Sequence, residues 1–162
     1  MALAQKTEGR SYLNGGTMRI RVSSLAYTPQ RFYLDRPSDI AIMEMPPDFW
    51  KKLAVVGLQP QADLPAVEEV VKVWGFPQTT LPQLKIGPRV VMATSEMIAL
   101  NEPLDGGYSG GPVLNMNDAL LGMVLRSTDR QSRVVPSAKL VQALADFERK
   151  AVPYREPLEI KP

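Results

Sequence analysis

The sequence predicts an all-β domain finished by one C-terminal helix, and three observations predict it. Fifteen prolines and eleven glycines are spread along the 162 residues, which breaks most of the chain into short segments. The apolar residues between these breaks fall in short runs with strand-like alternation or β-branched density. Residues 137–150 differ: they contain neither breaker and repeat apolar side chains at helical spacing. Short strands followed by a terminal helix fit a β-barrel or sandwich with a helical cap.

Taken in order, residues 18–27 alternate Met18, Ile20 and Val22 against arginine and serine, and read as one half-buried strand. Residues 32–34 and 39–45 are the next two candidates, and Pro46-Pro47 ends the second by removing two N–H donors. A buried strand starts at Glu69. Residues 84–94 follow, split by Gly87-Pro88, and then residues 96–100. Residues 112–115 and 119–128 flank Met116-Asn117-Asp118, a plausible hairpin connection, and residues 133–135 make one more short strand. In the helix, Ser137 is the expected N-cap, Leu140, Val141, Leu144 and Phe147 the buried stripe, and Arg149-Lys150 suit the negative C-terminal end. The Pro-rich segment 151–162 is expected to be extended or frayed.

Composition excludes several functions. The formal net charge is +2 with no long basic run, so the chain lacks the footprint of a nucleic-acid binder. Cysteine and histidine are both absent, which removes disulfides, thiolate nucleophiles and the ordinary zinc and copper ligand sets. An oxygen-only calcium or magnesium site would need a ligand loop, and none is visible. No cofactor and no metal are therefore expected. The N-terminus has no apolar core of the secretory type, and no apolar stretch approaches the ~18 residues of a membrane span. No membrane partner is expected.

The chemistry concentrates at residues 105–115, DGGYSGGPVLN. Ser109 stands among Gly107, Gly110 and Gly111, where side chains are nearly absent. Such a turn lets a carbonyl approach the Ser Oγ and lets successive N–H groups aim at one point. Acyl transfer needs both: an accessible nucleophile, and donors for the developing oxyanion.

This segment resembles the Gly-x-Ser-Gly-Gly-Pro nucleophile motif of trypsin-like serine peptidases of the chymotrypsin superfamily, especially the HtrA/Deg branch. There, too, proline leads into a short apolar strand, a turn and a second apolar strand containing glycine. The resemblance implies a chymotrypsin-like double β-barrel, with Ser109 as nucleophile and the N–H groups of Gly107 and Ser109 as the oxyanion hole. Residues 36–45 resemble the strand that carries the carboxylate of the triad, which would make Asp39 that residue; a strand-initiating aspartate at a turn is the plainer reading. Residues 134–144 resemble the entry to the family's last helix. Leu125, Arg126 and Ser127 would then line the edge that pairs with an extended polypeptide. Arg126 reads first as an edge charge that discourages aggregation, and second as a group favouring an acidic substrate side chain. Tyr108 departs from the aspartate found before the serine in many trypsin-type enzymes, so activation by insertion of a new N-terminus is not expected.

The family's base is a histidine, and this sequence has none. Lys72, Lys85, Lys139 and Glu96 are the substitutes by residue type, and each reads more simply as a solvated surface charge. The expected organisation is an unassigned segment 1–17, a partial N-terminal barrel at 18–60, a C-terminal barrel at 66–136 bearing the nucleophile, the helix 137–150 and the tail 151–162. A chain that starts partway through the N-terminal barrel would account for the missing histidine. Three readings follow: a serine endopeptidase impaired by its missing base, a pseudoprotease that binds extended polypeptide, or an assembly component completed by another copy or another chain.

Overall fold

The computed structural model describes residues 20–22, 25–51, 57–77 and 81–154. Its N-terminal part contains β1 (Ile20–Val22) paired antiparallel with β2 (Leu25–Tyr27), then β3 (Arg31–Asp35) paired with β4 (Ile40–Glu44), and a single helical turn, α1 (Pro47–Trp50). The expected single strand over 18–27 is thus two strands folded on each other, with Ile20 opposite Tyr27. Cross-strand pairing outweighs a pattern that also fits one continuous strand.

Six strands then close a barrel: β5 (Val70–Gly75), β6 (Gln83–Ala93), β7 (Ile98–Leu100), β8 (Pro112–Leu114), β9 (Leu120–Ser127) and β10 (Ser132–Pro136). Their hydrogen-bonded order is β10-β7-β6-β5-β8-β9, closing on itself. In β5, Val71 and Val73 point inward and are fully buried, while Val70, Lys72 and Trp74 alternate outward. Val90, Ile98, Leu100, Leu104, Tyr108, Val113, Leu121, Val124 and Val134 join them in the interior. Each such side chain contributes about 1.5–3 kcal/mol when fully buried, so this β-branched filling is the main source of the barrel's stability.

The break expected at Gly87-Pro88 does not interrupt β6. Gly87 takes φ +130°, which absorbs the bend, and Pro88 is fully buried. The pairing with β5 runs through the bend as far as Arg89, and the pairing with β7 begins at Val90.

The terminal helix, α2 (Ser137–Lys150), has the expected bounds but not the expected details. Pro136 holds the N-cap position in extended conformation, and the Ser137 hydroxyl donates to the Gln61 carbonyl at 2.9 Å instead of capping. A tertiary bond to the segment that connects the two halves displaces the local one. The buried face runs through Leu140, Ala143 and Phe147, and Ala143 packs with Ile40 and Val135. Val141 and Leu144 are half-exposed, at 50% and 54%. After the helix, β11 (Val152–Pro153) pairs with β3 and completes a three-stranded sheet, β11-β3-β4. Residues 155–162 of the expected tail lie outside the described residues.

The architecture is all-β with one closed barrel and a C-terminal helix. Among the described residues, the N-terminal half forms a three-stranded sheet and a hairpin rather than a second closed barrel. The halves meet where Ile40, Tyr33 and Ile42 pack against Val135, Met123, Leu125 and α2. Among the described residues no helix is long and apolar enough to cross a membrane.

Candidate active site

The turn bearing Ser109 joins β7 to β8 and is fixed by backbone bonds on both sides. The Phe76 N–H donates to the Gly107 carbonyl at 2.9 Å, and the Gly111 N–H to the Tyr108 carbonyl at 2.8 Å. Two more bonds seat the turn on β9: Gly110 N–H to the Val124 carbonyl at 2.8 Å, and Val124 N–H to the Gly111 carbonyl at 2.9 Å. Tyr108 is the turn's apolar anchor. It is 5% exposed, belongs to the barrel core, and lies so close to Gly75 that a Cβ there would meet its ring at 2.4 Å.

Gly107 has φ +107° and Gly110 φ +81°, the left-handed region that favours glycine. With Tyr108 pinned inward, Gly107 before it and Gly110-Gly111 beyond Ser109, the serine is left exposed. Among the described residues, the N–H groups of Gly107 and Ser109 have no acceptor, and the Ser109 hydroxyl has no partner. The turn therefore presents a hydroxyl and two uncommitted donors.

Beyond Val124, β9 continues as Leu125, Arg126 and Ser127. On one side these residues belong to the ladder with β10. On the side facing the Ser109 turn, β8 reaches only Met123, and the Gly110–Gly111 turn accounts for Val124. The expected substrate-binding residues thus lie on a strand edge that no described strand covers. Leu125 is half-buried against the Ile40 and Val135 cluster, and Arg126 is exposed. The Ser127 hydroxyl is engaged within the fold, accepting from Leu104 N–H at 3.1 Å and bonding the Ser132 hydroxyl at 2.9 Å. Ser132 is fully buried, accepts from Leu104 N–H at 2.9 Å and donates to the Glu102 carbonyl at 3.0 Å. Sequence reasoning missed Ser132 and the Phe76 amide, because a serine in a strand and a backbone donor some 30 residues upstream carry no local signal.

Asp39 lies at the end of the turn entering β4, exposed, with φ +53° and its N–H donating to the Arg36 carbonyl at 3.3 Å. It borders a hollow of about 420 Å³ together with Phe32, Leu34, Asp35, Arg36, Ile40 and Ala41. No residue of the Ser109 turn lines that hollow, and no hydrogen bond joins Asp39 to Ser109. Its neighbour Ile40 does pack into the same cluster as Leu125. The substitute bases are occupied elsewhere. Lys72 pairs with Asp118 and the Met116 carbonyl, Lys85 with Glu102 at 2.8 Å, and Lys139 with Glu96.

No protein-family model matches the sequence, and no curated protein matches it. Solved structures do. The Rv3671c protease of M. tuberculosis, in its active form, has a TM-score of 0.65 at 17% identity, over 80% of this chain and 63% of that one. Its inactive form gives a TM-score of 0.62 at 17% identity, covering 80% and 71%. The serine endoprotease of Yersinia pestis gives 0.64 at 15% identity, over 82% of this chain and 49% of that one. The chain thus spans less than two thirds of the active Rv3671c chain and about half of the Yersinia one. At these identities the likeness speaks for architecture. The chain has the trypsin-like, chymotrypsin-type all-β fold that these serine proteases share.

Proposed function

We propose that this chain is a trypsin-like serine endopeptidase domain in which Ser109 is the nucleophile and hydrolysis is impaired by the lack of an imidazole base. The observation that carries this reading is the turn itself: an exposed serine hydroxyl beside two N–H groups without acceptors, next to an open strand edge. An extended polypeptide paired along Leu125, Arg126 and Ser127 brings its scissile carbonyl to Ser109. Attack forms the Oγ–C bond, and the carbonyl oxygen, becoming an oxyanion, accepts from the N–H groups of Gly107 and Ser109. The hydroxyl proton must leave as that bond forms, and general-base assistance at this step contributes about 10²–10⁴-fold. Asp39 is the carboxylate that would orient an imidazole, and the sequence holds no histidine to be oriented. In this reading residues 18–60 are a partial N-terminal barrel and residues 66–136 the nucleophile-bearing barrel.

A second reading, a pseudoprotease that holds extended polypeptide without cutting it, is favoured by the ion pairs that occupy Lys72, Lys85 and Lys139. A different chain supplying a histidine would restore the first. A fluorophosphonate probe applied to the purified chain tests the matter. Only trace labelling is expected. Stoichiometric labelling that disappears in Ser109→Ala would show an unrecognised base and overturn the impairment.

A further inference from the structure

Arg126 and Arg133 stand directly opposite each other on the antiparallel β9–β10 pair. Side chains so placed share one face with Cβ atoms about 5 Å apart, and like charges there oppose each other. Neither guanidinium has a carboxylate partner among the described residues: the carboxylates that form ion pairs are bound to Arg31, Lys72, Lys85, Lys139, Arg149 and Lys150. Asp129, in the hairpin between the two strands, pairs with neither arginine. The Nε of Arg133 is buried and has no hydrogen-bond partner. A buried donor left in this state costs free energy until an acceptor arrives. The next pair of the ladder, Ser127 and Ser132, points to the opposite face and is committed to itself, Leu104 and Glu102.

Ala99, Arg133 and Arg126 form one row across β7, β10 and β9, and the row ends at the open edge of β9. A polypeptide added as a further strand at that edge extends the row by one residue, whose side chain falls on the arginines' face. We infer that this row is an anion subsite, and that extended polypeptide is recognised through an Asp or Glu side chain on the residue facing Arg126. The inference rests on the reading of the β9 edge as the polypeptide-binding edge. A carboxylate there accepts paired N–H bonds from the planar Arg126 guanidinium. It also neutralises the charge that Arg126 and Arg133 otherwise turn on each other.

The test is fluorescence anisotropy on the whole chain, with labelled neutral peptides of about eight residues in which one Glu, or one Gln, steps through every position. At one register the Glu peptide is expected to bind roughly tenfold more tightly than its Gln counterpart at low salt, and the advantage is expected to shrink as salt is added. Arg126→Gln and Arg133→Gln are each expected to remove most of that advantage, so that each variant binds the Glu and Gln peptides within about twofold of one another. If Arg133→Gln does not fold, Arg126→Gln, at an exposed position, reads the same loss. Equal affinity of Glu and Gln peptides at every register overturns the anion subsite and leaves the edge reading standing. A Glu advantage that survives both replacements also overturns it. Failure of every peptide to bind overturns the edge reading and the subsite together.

Discussion

Alanine placed in turn at Gly106, Gly110 and Gly111 separates two demands that the Ser109 turn makes on its glycines, with Gly106 as the position that meets neither. At Gly111 a Cβ would lie 2.0 Å from the Trp74 carbonyl oxygen and 2.8 Å from that of Tyr108. Carbon–oxygen contacts are comfortable near ~3.3–3.6 Å, so the backbone must part by about 1 Å. Overpacking of this kind costs about 1–3 kcal/mol. The displacement also strains the bonds of Gly111 N–H to Tyr108 and of Val124 N–H to Gly111, each worth about 1 kcal/mol net. Gly111→Ala is therefore expected to destabilise by about 3–5 kcal/mol, a large part of a typical domain's ~5–15 kcal/mol. At Gly110 the space is open and only φ +81° matters, so alanine should cost about 1–2 kcal/mol. Gly106 has neither a close neighbour nor positive φ, and alanine there should be neutral or stabilise by up to about 1 kcal/mol. Urea unfolding followed by tryptophan fluorescence measures all three, since Trp74 lies on β5 beside the turn. A Gly111→Ala midpoint close to that of Gly106→Ala would refute the close-approach argument.

Ser132→Ala deprives the Leu104 amide and the Glu102 carbonyl of a buried partner, and a loss of about 1–3 kcal/mol is expected in thermal unfolding; a change below about 0.5 kcal/mol would mean that Ser127 and water compensate fully. Phe147, 5% exposed and lying under the Arg31 guanidinium at 5.0 Å, should cost about 3–5 kcal/mol as alanine. Hydrogen exchange should then show β3 and β4 opening before the barrel, and uniform loss across both would contradict that division. The Arg149 side chain, hydrogen-bonded to Asp146, holds its carboxyl below the usual aspartate range against the opposing effect of burial, with Lys150 adding to the lowering. A carboxylate so depressed contributes stability above its unfolded pKa and loses it as pH falls through the folded value. The stability gap between wild type and Asp146→Asn should accordingly be widest near neutrality and close in acid; a gap independent of pH would refute the linkage.

Much of this fold can be read from local pattern, because proline, glycine and β-branched runs act over a few residues. The barrel strands near residues 70–75, 112–114 and 120–127 and the limits of α2 follow from such runs. Other features are decided at long range. Ser137 looks like a cap until Gln61 offers its carbonyl, and Val141 looks buried until the β3–β4 sheet selects the face centred on Ala143. The Val152–Pro153 segment gains strand character only from pairing with β3. For the candidate site, the glycines around Ser109 announce an exposed serine, whereas the availability of its neighbouring amides depends on Phe76 and Val124 occupying the carbonyls around them. The Arg126–Arg133 opposition is set by a ladder with a register shift between Arg133 and Val134, which spacing alone does not reveal.

The pairing of β11 with β3 has a consequence for the time at which this protein becomes whole. The sheet begun by residues 31–44 receives its third strand from residues 152–153, about 110 residues later. At a synthesis rate of about 5–20 residues per second, the early strands emerge roughly 5–20 s before the segment that flanks them. Through that interval β3 offers the ribosome's surroundings an unfilled edge, and the barrel, whose strands all lie between the two, can close first. The emergence of residues 152–153, rather than the appearance of the first strands, is then the event that completes the N-terminal sheet.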